Sequence, residues 1–146
     1  TRYERISQGY HTFSIASNGY TYLRKSLYVG DGMATIAIIN SSRGLDLISI
    51  PDTTCPMSYS NACFRVCNLA YYSGAINAAI GNVYFNSVSF RQAASFSSMM
   101  SGNYTVHVSR SARPETTLVT TTVSMRPRRI YTLYILNWNP SEDRRD

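Results

Sequence analysis

The chain has 146 residues, enough for one or two small domains with a real core. Apolar residues make up 44% and charged ones only 15%, the composition of a folded protein rather than a disordered one. The net charge of +6 at pH 7 comes almost wholly from arginine, yet no nucleic-acid module is visible, and no stretch approaches the roughly 20 apolar residues of a membrane span.

Ser, Thr, Tyr and β-branched residues outnumber good helix formers, which predicts an all-β protein. In chain order the predicted strands begin with "HTFSIA", turned by "NG" at 18–19 into "YTYLRKSLYV". "GDG" at 30–32 leads into "MATIAIIN", and "SRG" into "LDLISI", which Pro51-Asp52 ends. After a cysteine-bearing linker the strands resume: "CFRVCNL", "NAAIGNVYF", "SFSSM", "YTVHVS", "TTLVTTTVSM" and "RIYTLYILNW". The polar "NPSEDRRD" closes the sequence as a solvated tail.

Two stretches nearly repeat: "SQGYHTFSI" at 7–15 and "MSGNYTVHV" at 100–108. Placing Gly9 on Gly102 pairs Thr12 with Thr105, Phe13 with Val106 and Ile15 with Val108. Four further residues in the second copy fall at the loop containing "SARPE". Beyond them Thr35 meets Thr132, Ile36 meets Leu133 and Ile38 meets Ile135. The second copy has strands ahead of its repeat, in residues 63–93, and the first has no counterpart to them. The expected organisation is an incomplete β unit over 1–52, a linker over 53–62, a complete unit over 63–138 and a tail over 139–146. The first unit thus begins at its own back half, with its front strands removed or supplied by another chain.

Three cysteines lie close together in "TTCPMSYSNACFRVCNL". Cys63 and Cys67 share a strand face but stand about 13 Å apart at roughly 3.3 Å per residue, too far for a disulfide. Cys55 loops back to Cys63 or to Cys67 through the Pro56–Ala62 turn. One thiol is then left over, which in a secreted protein points to a partner cysteine on another chain. His11 and His107 lie far off without metal-ligand spacing, so no metal or cofactor is expected.

In the second unit "FRVCNL", "INAAIGN", "NSVSF", "SGNYTVHV" and "RIYTLYIL" follow one another in an order that resembles a bacterial extracellular family, domain of unknown function 4397. In the first, "GYHTFSI", "MATIAII" and "LDLISIPD" are similar to the latter half of the same pattern. Asn77 stands where the family has Asp, and Cys63 and Cys67 are outside its general pattern. The resemblance implies tandem immunoglobulin-like β-sandwich units, secretion and a cell-surface location. It transfers no activity.

No catalytic site is expected. Thr1 as an N-terminal nucleophile lacks an activating base, Glu4 and Asp31 lie in or beside turns without a partner carboxylate, and both histidines are placed on strands at exposed positions. The function expected is self-assembly into a fibre or surface layer, by strand complementation at the incomplete unit with disulfides between subunits. The alternative is a monomeric module that recognises glycans through Tyr3, Tyr10, Tyr20, Tyr22, Tyr28, Tyr71 and Tyr72.

Overall fold

The computed structural model of the chain describes residues 5–30, 32–41, 44–52, 55–56 and 58–136. The protein is all-β, and it divides into two compact units, Thr1–Thr53 and Thr54–Asp146. Thr1, Glu4, Asp31 and the 139–146 tail, all named above, lie outside the described residues.

The first unit consists of two antiparallel hairpins: β1 (Gly9–Ser17) with β2 (Tyr20–Val29), and β3 (Ala34–Ser41) with β4 (Gly44–Pro51). Asn18 and Gly19 join the first pair with φ of 52° and 77°, the two left-handed positions of the tight turn that suits strand twist. Strand alternation then sorts the side chains. His11, Phe13 and Ile15 on β1 share a face with Leu23, Lys25, Leu27 and Val29 on β2, and this row is half-buried throughout. On the second hairpin Ile39, Ile48 and Ile50 share a face and are buried.

The second unit adds β5 (Asn61–Leu69), a 3-10 turn at Tyr71–Ser73, β6 (Ile76–Ile80), β7 (Val83–Val88), β8 (Ser97–Met100), β9 (Gly102–Arg110), β10 (Arg113–Met125) and β11 (Ile130–Leu136). One sheet has the order β10-β9-β6-β7 and the other β11-β5-β8. Between them lies one core, to which β5 gives Phe64 and Val66, β6 gives Ile76, Ala78 and Ile80, and β9 gives Val106 and Val108. Burying each Phe, Val or Ile side chain among these is worth about 1.5–3 kcal/mol, so this core is the main stabilising element of the unit. The sequence run "NAAIGNVYF" is not one strand but two, because Gly81, at φ 57°, turns β6 into β7. A side chain at Gly81 would also press on the Tyr104 ring at 3.3 Å.

The internal repeat is structural. In both units the first strand of the hairpin meets the second in the same register, from Gly9↔Val29 to Ile15↔Leu23 and from Gly102↔Met125 to Val108↔Val119. Both pairs then shift register at the same place, just past Ile15 and just past Val108. Two details of the sequence alignment are corrected. The second copy has three extra residues rather than four, Pro114, Glu115 and Thr116, which overlap the "SARPE" stretch and fall in the irregular start of β10. In the strand that follows, burial matches Ile39 with Ile135 and Thr35 with Tyr131, one residue away from the expected pairing. A one-residue slip would put every side chain on the wrong face, so the burial pattern decides the matter.

Candidate interaction surfaces

The comparison of the two hairpins defines the first surface. In the second unit β9 is paired on both edges, by β10 and, antiparallel, by β6, whose Ile80 faces Val106 and whose Ala78 faces Val108. Likewise β11 pairs in parallel with β5, from Ile130↔Cys63 to Leu136↔Leu69. Their counterparts in the first unit, β1 and β3, each form only a two-stranded sheet among the described residues. Burial follows suit. Val106 and Val108 are 0% exposed, whereas Phe13 and Ile15, at the same positions, are only half-buried. Among its described residues the first unit therefore has no strands equivalent to β5 and β6 beside β1 and β3.

The cysteines form no external site. Cys55 and Cys63 are joined by a disulfide with Cα atoms 6.4 Å apart, which ties the segment ahead of β5 to that strand. Cys67 is a free thiol and is fully buried. The expected bridge from a leftover cysteine to another chain is thus not supported, because a thiol without surface cannot meet a second one. Burial pushes the Cys67 thiol up from its ordinary pKa, and the charge of Arg65 pulls it partly back. Among the described residues no three His, Cys, Asp or Glu side chains come together as metal ligands.

β5 itself is unusual in being buried on both faces from Ala62 to Leu69. Arg65 is 3% exposed; its guanidinium lies 4.4 Å from the centre of the Phe96 ring, and its Nε donates to Thr132 Oγ1 at 3.0 Å. Asn68 is fully buried and fully used. Its Nδ2 donates to the carbonyls of Gly74 and Val88 at 2.8 and 2.9 Å, and its Oδ1 accepts from the Ala70 amide at 2.9 Å. It fastens the end of β5 to the 3-10 turn and to the end of β7. Asn77 does similar work at the surface: its Oδ1 accepts from Ser87 N at 2.8 Å and Ser111 Oγ at 2.7 Å, and Ser87 holds a φ of 55°. Within the motifs "FRVCNL" and "INAAIGN", Asn68 and Asn77 thus fasten neighbouring segments of the fold together.

The tyrosines named from sequence separate into groups. Tyr10, Tyr20, Tyr22 and Tyr28 lie exposed on the outward face of the β1–β2 hairpin, while Tyr71 packs with Tyr72 and Phe90 in the second unit. Tyr3 lies outside the described residues. His107 is exposed as expected, but His11 is half-buried on the inward row, with Nε2 donating to the Ser7 carbonyl at 2.6 Å. A shallow depression of about 240 Å³ on the outer face of the β10-β9-β6-β7 sheet is lined by Asn77, Tyr84, Asn86 and His107 among others, and sequence reasoning had not singled it out.

These features define an all-β protein with an internal repeat. The chain belongs to the family described as Domain of unknown function (DUF4397), whose model matches residues 1–79. That match begins in the first unit and ends within β6. No curated protein matches the chain.

Proposed function

We propose that this is a non-enzymatic, extracellular β protein that works by self-association, with the first unit accepting strands from another copy. The supporting observation is the unequal burial of Phe13 and Ile15 against Val106 and Val108 in hairpins of identical register. The donor is the β5–β6 segment of a second copy, since that segment is what satisfies the equivalent edges and apolar row inside the second unit. An incoming β6 adds to β1 in antiparallel sense and an incoming β5 adds to β3 in parallel sense. A copy that gives up β5 and β6 exposes its own β9 and β11, so it becomes the next acceptor. Such a head-to-tail exchange does not close on itself and grows a filament. The Cys55–Cys63 disulfide supports an oxidising, extracellular setting, and bacterial cell surfaces are the location proposed. The contact itself is non-covalent.

Light scattering coupled to size exclusion tests this over a wide concentration range. The expected result is a series of oligomers whose share rises with concentration and falls when a peptide of residues 61–80 is added in excess. A single species near 16.4 kDa at every concentration would overturn the reading.

A further inference from the structure

We infer that the outward face of the β1–β2 hairpin is a binding strip for an extended polysaccharide chain. Along this face Tyr10 and Tyr28 form one edge-to-face pair with ring centres 5.3 Å apart, and Tyr20 and Tyr22 form another at 4.8 Å. Between the two pairs lie only polar groups. Thr12 Oγ1 and Ser26 Oγ are 3.1 Å apart, and Arg24 Nε reaches Ser14 Oγ at 3.5 Å. Tyr10 is 79% exposed and the other three are 57–64% exposed. Over the run Tyr22–Tyr28 the strand advances about 20 Å, which makes the strip long and one hairpin wide.

Exposed tyrosines on a strand commonly serve only the hairpin, as cross-strand pairs. The repeat supplies an internal control against that explanation. The β9–β10 hairpin has the same register and the same bulge, yet carries Asn103, Thr105 and His107 on the first strand and Leu118, Thr120, Thr122 and Ser124 on the second at the matching positions. The architecture forms without outward tyrosines, so their presence in the first unit calls for a ligand.

The chemistry favours a sugar chain over a protein. The strip presents no Leu, Ile, Val, Met or Phe to anchor a desolvated protein contact. Tyrosine rings offer flat apolar faces with a polar tip, which suits the C–H face and hydroxyl rim of a pyranose. The hydroxyls of Thr12, Ser14 and Ser26 match sugar hydroxyls in kind, and the Arg24 guanidinium suits the carboxylate of a uronic acid. This inference narrows the glycan expectation to one face and stands apart from the assembly reading, which concerns strand edges and the inward row.

Affinity electrophoresis through native gels containing hydroxyethyl cellulose, xylan, polygalacturonate or hyaluronan tests it. The native protein is expected to be retarded by at least one of the four, more strongly by the two uronate polymers. A variant with Tyr10→Asn, Tyr22→Thr and Tyr28→Ser keeps the net charge and takes two of its residues from the second hairpin. Its apparent affinity is expected to fall at least tenfold, with an unchanged circular dichroism spectrum and oligomer distribution. Because charge is constant, that loss reports the rings rather than the basic surface. Tyr84→Ser, on the outer sheet of the second unit, is expected to change nothing. Absence of retardation in all four gels, equal retardation of the triple variant, or an equal loss with Tyr84→Ser would each overturn the inference.

Discussion

Lys25 on β2 reaches Asp46 on β4, with Nζ 2.8 Å from Oδ1, and so ties the two hairpins of the first unit together. The same Nζ donates to the Leu47 carbonyl at 3.0 Å, and the Leu47 amide in turn donates to Asp46 Oδ1 at 2.8 Å. Lys25 sits in the half-buried inward row, opposite Phe13. A charge at that place in the row makes uncontrolled pairing unfavourable, since any docking strand must leave the ammonium solvated or paired.

The Lys25→Met variant tests both roles. The ion pair is part-exposed, so its loss is expected to cost the first unit only about 1 kcal/mol in urea unfolding. Association is expected to rise, seen as larger species in light scattering at equal protein concentration. A fall in association would show that the charge recruits the incoming strands rather than restraining them.

Phe13→Ala and Val106→Ala form a matched pair on equivalent strands. Val106→Ala is expected to cost about 2 kcal/mol under all conditions, because its site is closed. Phe13→Ala is expected to cost about 1–2 kcal/mol in dilute monomer and to approach the 3–5 kcal/mol of a fully buried phenylalanine in the assembled form. Equal costs in both forms would mean that assembly leaves the inward row of the first unit uncovered.

Asn68→Leu is expected to destabilise the second unit by about 2–4 kcal/mol in chemical denaturation. The change fills much of the same volume but leaves two carbonyls and one amide without partners in a dry site. A variant within 0.5 kcal/mol of the native protein, on the order of an ordinary surface change, would mean that water replaces the side chain.

Cys67 gives a pH signature of known sign. The folded thiol titrates above the unfolded one, so in alkali the unfolded state loses its proton first. Stability is therefore intact below the ordinary thiol pKa and falls as pH rises past it towards the folded value. Urea midpoints of the native protein and Cys67→Ala, followed through the alkaline range, are expected to converge as pH rises. Parallel curves would show that burial does not shift this thiol. A thiol reagent at neutral pH is expected to label Cys67 at the rate at which the second unit opens.

Much of the fold was legible because its punctuation is local. Asn18-Gly19 and the alternation of Phe13 and Ile15 with Thr12 and Ser14 announce a hairpin and its faces. Other features rest on partners far away in the chain. Nothing local in "CFRVCNL" tells that both faces of β5 are covered, since the covering groups include Phe96 and Thr132. The choice of Cys63 over Cys67 for Cys55 was open in sequence and is settled by which side chain lies within bridging distance. The exposed tyrosines were visible as residues, but their gathering on one outward face followed from register and from a bulge that composition does not encode.

The parallel pairing of β5 with β11 also sets an order of events during synthesis. Residues 9–29 can close on themselves as soon as they emerge, since every partner in that hairpin is near in sequence. β5 must wait for Ile130–Leu136 before that sheet has its second long strand. Throughout that interval β5 lacks its long parallel partner. A factor that shields β5 until β11 arrives would therefore favour correct closure of that sheet, and its absence would be felt in β5 before any other strand of the unit.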